Sequence, residues 1–468
     1  MAARRRSLWL RRSSRPRRGP NSRRRTELGL LVFVSLVVAA AYVLASIGTT
    51  AKVPPDLGVF LAIVLGLALV AHLGTRRLAP DANPVVLPVT ALLNGLGYVM
   101  LARLDAHYAR LQAGWTAVGI LAYVATLVFV RHSRDLDRYR YLLLLAGVAL
   151  LLLPLVPHLG VNIGGARLWV KVGPATGQPV ELAKILLVVF FASYFTEKRE
   201  LLSLPTLRVG DRLVLDPRPA LPIVLAWGFA LAVLGAENDV GFAMLIFVLF
   251  VGMLWLATGR MMWLGFGVGL FAAGAVAADK LFKHVAQRVT DWLHPWGYNA
   301  AHGGYQLVQG MYAFGNGGLI GTGLGYGTAL GPDCLHSKIP EVCTDYIFSA
   351  FGEEMGLLGT TLLVFAFVLL AGAGMRIAQT ARSEFAKMTA AGLTIIIGLQ
   401  AFFIMAGIIR LLPLTGITLP FMAYGGSSLV ANYILVALLV RISDEGAHSI
   451  AVGATATRVT AAVPQPAR

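Results

Sequence analysis

Twelve apolar runs punctuate the chain between about residues 28 and 441, and most are close to the ~20 residues that a helix needs to cross a bilayer. They fall at about 28–48, 57–74, 85–103, 113–131, 140–157 and 181–196, then at 219–235, 240–258, 262–279, 346–372, 386–409 and 421–441. With 57% hydrophobic and only 13% charged residues, and a mean hydropathy of +0.71, a chain of 468 residues has too little polar surface to cover a soluble core. The predicted fold class is all-α, a polytopic membrane protein of about twelve transmembrane helices.

Charge orients the helices. The first 26 residues hold eleven arginines and no acid, so most of the formal +17 belongs to one tail. Beside a membrane span such a tail reads as a cytoplasmic anchor on anionic membrane lipids, not as a nucleic-acid contact. The apolar run after it is too long, and lacks the small-residue cleavage site, for a cleavable signal. The charged connections at 75–77, 131–140, 197–200, 259–260 and 376–387 fall on the same side as the tail, which puts both termini in the cytoplasm. The expected organisation is a basic disordered tail over 1–27, two amino-terminal helices over 28–84, a membrane core over 85–441 with one large outer loop at about 280–345, and a cytoplasmic tail over 442–468.

The opposite connections alone combine charge with glycine and aromatics: 164–184, 235–241, 280–345 and 410–428. Among them, KIPEVCTDYIFSAFGEEMGLLG at 338–359 carries Asp345, Glu353 and Glu354 into a membrane helix, where each carboxylate costs about 3 kcal/mol unless it faces a cavity or a partner. Asp345 sits at the helix mouth and is the candidate chemical group, while Glu353, some ~12 Å deeper, and Glu354 read as internal structural partners. In GGARLWVKVGPATGQPVELAK, Glu181 and Lys184 share one helix face behind Arg167 and Lys171; the set is either an intrahelical ion pair or part of a pyrophosphate cradle. Asp239 in ENDVG begins a helix, a place where a carboxylate is favourable in itself.

The glycines of GGYQLVQGMYAFGNGGLIGTGLGYG follow no strand, so close backbone packing in a re-entrant segment is expected and not dinucleotide binding. His284, His294, His302 and His336 lack the paired spacing of a zinc site, and Gly425–Ser428 reads as a helix-start turn and not as a hydrolase nucleophile. The two cysteines, Cys334 and Cys343, lie nine apart in the outer loop just before Asp345, and an oxidising outer face predicts a disulfide between them.

Taken together these stretches resemble the shape, elongation, division and sporulation (SEDS) family, the FtsW/RodA type of bacterial cell-wall polymerase. The family pattern GGxxRW…QPSExxK is similar to GGARLWV…QPVELAK, its acidic Asp-Leu-Gly turn to ENDVG, and its GYQ…AxGxGGxxGxGxG run to the glycine-rich stretch. Its LPExxTDFIF…EExG is similar to IPEVCTDYIFSAFGEEMG, and its LPxTGxxLPFxSYGGSS to LPLTGITLPFMAYGGSS. Five motifs stand in order across about 85–441, and the first two helices are additional to a core that has ten in the family. Val180, Asn238 and Ala423 depart from the family's Ser, Pro and Ser without removing a charge.

The resemblance implies a peptidoglycan glycosyltransferase, a hexosyltransferase that polymerises lipid II at the outer face of the bacterial cytoplasmic membrane and releases undecaprenyl pyrophosphate. Asp345 would take the acceptor hydroxyl proton; with an ordinary pKa near 3.9 it must do so as the bond forms. Arg167, Lys171, Glu181, Lys184 and Asp239 would bind substrate. A divalent cation, Mg or Mn, is compatible with the pyrophosphate; the protein ligands of such a metal are unknown from sequence, and no organic cofactor is implied. The implied partner is a class B penicillin-binding protein, a transpeptidase. The short carboxy-terminal tail favours the RodA-like branch of cell elongation and cell shape. The competing readings are a lipid II flippase, which needs charge along a crossing path and not on one face, an FtsW-type cell-division polymerase, and a non-catalytic scaffold.

Overall fold

The computed structural model describes residues 20–163, 166–173, 175–203, 205–209, 212–215, 228, 232, 237, 239–328 and 333–462. Its long helices are α1 (Pro20–Thr50), α2 (Leu57–Leu78), α3 (Val86–Leu104), α4 (Ala106–Phe129), α6 (Arg140–Leu152) and α7 (Val180–Glu197), with the short α5 (Ser133–Arg138) and α8 (Arg199–Ser203) beside them. There follow α9 (Val240–Thr258), α10 (Met261–Leu281), α11 (Lys283–Leu293), α12 (Tyr305–Gly317), α13 (Ile347–Thr380), α14 (Glu384–Ile408) and α15 (Gly426–Ala462).

Among the described residues nine helices are long and apolar enough to cross a membrane: α1 to α4, α9, α10, α13, α14 and α15. The difference from the expected twelve has local causes. The apolar helix at Arg140–Leu155 is short, α7 carries Glu181, Lys184 and Glu197 in its 18 residues, and the run at 219–235 lies almost wholly outside the described residues.

Helix starts follow capping chemistry. Asp239 accepts a hydrogen bond from the Phe242 amide (3.2 Å), Ser383 from Ala386 (3.1 Å) and Asp105 from His107 (2.8 Å), satisfying amide protons that a helix start leaves unpaired. Gly259, at φ +66°, closes α9 in the left-handed conformation that a side chain resists. One buried apolar core runs through α3, α4, α7, α9, α13, α14 and α15.

At the end remote from Asp345, α15 gathers the connecting turns. Arg441 donates to the carbonyls of Leu78 (2.6 Å), Val130 (2.8 Å) and Leu127, Asp444 accepts from the Asp81 amide (2.7 Å), and Glu445 accepts from the amide (2.7 Å) and hydroxyl (2.6 Å) of Ser133. There α1 is tied to α2 by Glu27, fully buried between Arg76 and His72 (2.8 Å).

Among the described residues two small sheets interrupt the helical pattern. Strands β1 (Gly160–Ile163), β2 (Ala166–Val172) and β3 (Ala175–Gly177) form one antiparallel sheet before α7, and β4 (Pro205–Val209) pairs with β5 (Arg212–Leu215). In β2 Leu168 and Val170 point inward while Arg167 and Lys171 stand exposed, as the two-residue period of a strand requires.

The large loop folds as the amphipathic α11, a tight turn at Gly297–Ala301, α12, and a glycine-rich strap that lies along α13. Amides of the strap at Thr322 and Gly323 donate to the Glu353 and Glu354 carbonyls (2.9 and 3.0 Å). In return, the amides of Leu357 and Leu358 donate to the Gly318 and Leu319 carbonyls (2.9 and 3.0 Å). This exchange is possible because α13 breaks its helical geometry at Gly356 (φ +63°), freeing amides that a continuous helix would use internally.

Candidate functional site

The glycine- and charge-bearing connections meet at one end of the bundle. Asp345 lies in the turn just before α13, half-buried, and forms no hydrogen bond or ion pair among the described residues. The turn is pinned from two sides. Cys343 is joined to Cys334 by a disulfide with Cα atoms 5.8 Å apart, and its carbonyl accepts the amide of Tyr424 (2.8 Å) from the Gly425–Ser428 connection.

Facing Asp345 is Arg288 of α11. Gly416, at φ +72°, separates them: a methyl placed on it would stand 3.5 Å from Arg288 Nη2 and 3.7 Å from Asp345 Oδ2, so the two charged groups are at most about 7 Å apart. Arg288 Nη1 also donates to the carbonyls of Leu414 (3.4 Å) and Thr415 (3.3 Å), which fixes the guanidinium over this loop. Its helix is anchored by a reciprocal pair, Trp292 Nε1 to the Arg410 carbonyl (3.1 Å) and Arg410 Nε to the Trp292 carbonyl (2.9 Å).

Asp239 stands at the start of α9. Gly241 brings that helix against the Thr415 carbonyl so closely that any side chain would collide, which seats Asp239 on the same loop. Its Oδ2 is buried without a partner among the described residues, as are both carboxylate oxygens of the neighbouring Glu237. Burial raises all three acids: Asp345 to about 7, with Glu341 adding to the effect; Asp239 to about 6; and Glu237 to about 8, with Asp239 adding to it. Arg288 opposes the rise at both Asp345 and Asp239, Asp239 acts on Asp345, and Glu181 acts on Asp239, so these groups share one electrostatic field.

Glu181 and Lys184, both fully buried on α7, face each other with Nζ 2.5 Å from Oε2. Lys184 also donates to Gln400 Oε1 (2.7 Å), and Gln400 Nε2 to the Thr418 carbonyl (3.0 Å). Thr418 in turn donates to Ser428 (3.0 Å), and the Gln178 amide to Ser427 (3.1 Å). The serines of the Gly-Gly-Ser-Ser stretch therefore tie the start of α15 to α7 and to the 415–418 loop. Arg167 and Lys171 stand apart from this buried chain, exposed on one face of β2, while the Arg167 amide donates to the Glu237 carbonyl (3.1 Å) and links the sheet to Asp239. Among the departures noted above, Val180 and Ala423 are buried core positions and Asn238 lies outside the described residues.

Arg288 and Glu237 are the site residues that sequence reading missed. Glu237 carried no spacing signal beyond its place in ENDVG. Arg288 did leave one: in α11 it shares the stripe of Val285, Val289 and Trp292, where a solvated arginine would not be placed.

The unpartnered oxygens of Asp239 and Glu237 are hard donors of the kind that suits Mg or Mn. They do not converge on one point with Asp345; among the described residues the one group of acids and histidines that does is Asp81, Asp444 and His448, at the other end of the bundle.

The chain matches the family model of FtsW, RodA and SpoVE, described as cell cycle proteins, over residues 85–448. It is 40% identical over 433 residues to the peptidoglycan glycosyltransferase RodA of Mycobacterium tuberculosis, covering 90% of this chain and 91% of that one. To a probable peptidoglycan glycosyltransferase FtsW of Geobacter it is 35% identical over 295 residues, 63% of this chain and 76% of that one. Among solved structures, a chain of a peptidoglycan synthase complex that coordinates polymerization and crosslinking shares the fold at 24% identity and TM-score 0.62, over 78% of this chain and 98% of that one. A mutant of the rod shape determining protein RodA of Thermus thermophilus aligns at 25% identity and TM-score 0.55, over 77% and 97%. With five motifs in order, a shared fold and a match across most of its length, this chain belongs to the FtsW/RodA/SpoVE family of cell cycle proteins.

Proposed function

We propose that this protein is a peptidoglycan glycosyltransferase that polymerises lipid II, with Asp345 as the base. The observation that carries the assignment is a half-buried carboxylate with no hydrogen-bond partner among the described residues, raised to about 7 and set across a glycine from Arg288. A base must be free to accept a proton, and one near neutrality is both ionised and proton-seeking at working pH. In the reaction the acceptor sugar hydroxyl attacks the anomeric carbon of the donor, its proton passes to Asp345, and the bond to the pyrophosphate oxygen breaks. The leaving pyrophosphate needs cations. Arg167 and Lys171 are exposed and Arg288 faces the base, and none of the three is tied to a carboxylate among the described residues, whereas Lys184 is held by Gln400 and Glu181. If the reaction uses a Mg or Mn ion, Asp239 and Glu237 would be the residues to hold it, and it would supply positive charge for the leaving pyrophosphate.

The match to RodA at 40% identity over 90% of the chain, against 32 to 35% identity over 63 to 75% for FtsW relatives, supports a role in cell elongation and shape. We place the site at the outer face of the cytoplasmic membrane, with both termini inside, from the charge of the connections. A penicillin-binding transpeptidase as partner is supported by the likeness to a chain of a polymerising and crosslinking complex.

The test is purified protein with labelled lipid II, products resolved on a gel. Wild type should give glycan ladders, and Asp345→Asn, almost equal in volume, none. Ladders from that variant would remove Asp345 as the base; lipid II crossing vesicles without ladders would make the protein a flippase.

A further inference from the structure

Helices α1 and α2 precede the segment matched by the family model, yet they are not peripheral to the strap that lies along α13. A tenth of the chain, the share left outside the mycobacterial alignment, is shorter than residues 28–84, so part of this helix pair is common to those relatives. The pair has its own small core of Val34, Val38, Ala41, Ala45 and Phe60 with Val99 of α3, and Leu324 of the strap packs against it.

At the end of α1 two glycines meet. A Cβ on Gly48 would fall inside the van der Waals shell of the Leu324 carbonyl and 3.0 Å from the Gly325 Cα; one on Gly325 would strike the Ala45 carbonyl and stand 2.9 Å from the Gly48 Cα. Gly325 is at φ +89°, open only to glycine at little cost. Backbone therefore rests on backbone, the closest contact two membrane segments make.

On its other side the strap is held by carboxylates. The Gly325 amide donates to Glu354 Oε2 (2.9 Å), the Gly327 amide to Glu354 Oε1 (3.3 Å) and the Thr328 amide to Glu353 Oε1 (3.0 Å). Arg103 closes the arrangement, with Nε 2.6 Å from Glu354 Oε1 and Nη2 donating to the Gly327 carbonyl (3.0 Å). Glu353 and Glu354 lie in the opening turns of α13, whose mouth carries Asp345.

We propose that the amino-terminal helix pair is a brace for the catalytic carboxylate: Gly48 presses the glycine-rich strap onto Glu353 and Glu354, and so fixes the opening turns of α13 and the place of Asp345. Gly48 is then a positioning residue. The inference rests on Asp345 as the base, and its test separates the two claims.

Full-length Gly48→Leu and the milder Gly48→Ala are compared with Gly29→Leu, on the same helix where a side chain meets open space. Hydrogen exchange is read at peptides covering Gly325–Thr328, and kcat and KM are measured with lipid II. In Gly48→Leu the strap amides should exchange about tenfold faster, those of α14 should not change, and kcat should fall about tenfold with KM within about twofold. Gly48→Ala should fall between, and it decides the matter if the leucine variant is not recovered. Gly29→Leu should match wild type. Unchanged strap exchange in the Gly48 variants would show that α1 braces nothing, and faster exchange with unchanged kcat would show that the strap does not position the base. If wild type makes no glycan, the assignment of Asp345 fails while the exchange result still decides the brace.

Discussion

Replacing Arg288 by Gln should move the pH dependence of turnover and not merely lower it. Asp345, raised to about 7, is protonated below that pH and becomes a base above it, so activity should rise with pH through neutrality. Arg288 holds this value down, at a separation of at most about 7 Å. A unit charge pair at about 7 Å interacts by about 2.4 kcal/mol at an effective dielectric near 20 and by about 0.6 kcal/mol in bulk water. At about 1.4 kcal/mol per pKa unit, loss of Arg288 should raise the Asp345 value by about 0.4 to 1.7 units. With a shift of about one unit, the ionised fraction at pH 7 falls from about a half to about a tenth, a loss of about fivefold from titration alone. Glutamine retains a donor for the Thr415 or Leu414 carbonyl, which limits disturbance of the loop. Initial rates on labelled lipid II from about pH 5.5 to 9.5 give the test. The variant's midpoint should move to higher pH, and its alkaline plateau should stay below wild type by the lost contact to the leaving pyrophosphate. A profile with the wild-type midpoint and a uniformly lower plateau would refute the electrostatic role of Arg288.

Arg167→Gln or Lys171→Gln should lower kcat/KM for lipid II about ten- to a hundredfold, the equivalent of about 1.5 to 3 kcal/mol for one charge-assisted contact, with thermal stability unchanged because both side chains are exposed. Equal kcat/KM at limiting lipid II would leave them without a substrate role. Glu181→Gln and Lys184→Met each break a fully buried pair and should each cost about 3 to 5 kcal/mol, while the double variant should cost less than their sum, read by unfolding in detergent. Additive losses would show that the two residues act independently. Reduction of Cys334–Cys343 should release about 2 to 3 kcal/mol of local constraint and lower turnover without unfolding the membrane core. Two freely alkylated thiols in the unreduced protein would contradict the bond.

The spacing of apolar runs made most of the helices legible, and their edges were lost where composition stops tracking geometry. α15 continues past the last apolar residue of its run because Arg441, Asp444 and Glu445 find partners in the turns of α2, α4 and α5 instead of solvent. α7 reads as an apolar run broken by charge, since its Glu and Lys neutralise each other inside the protein. The sheet before α7 was missed, although ARLWVKV alternates with the period of two that a strand imposes. Amid glycine and proline that short alternation is outweighed by its turn-forming neighbours.

The three carboxylates at the start of α13 show why the proposed base stands out in the sequence while the residues around it do not. A carboxylate inside a bilayer must be satisfied or neutralised, and the chain satisfies Glu353 and Glu354 with amides of a strap that only glycine lets approach. The sequence marks those two acids as internal and the glycines as a close-packing segment, but that the second supplies amides to the first is visible only in the fold. Asp345 has no such donors and sits at the mouth instead of inside the helix, so its charge is controlled from a distance by Arg288, on a helix that joins it only through the folded loop. Chemistry requires that distance. A carboxylate held as tightly as Glu354, by two amides and Arg103, would be a poor acceptor for a substrate proton, and the residue that tunes an unpaired one need not lie near it in sequence.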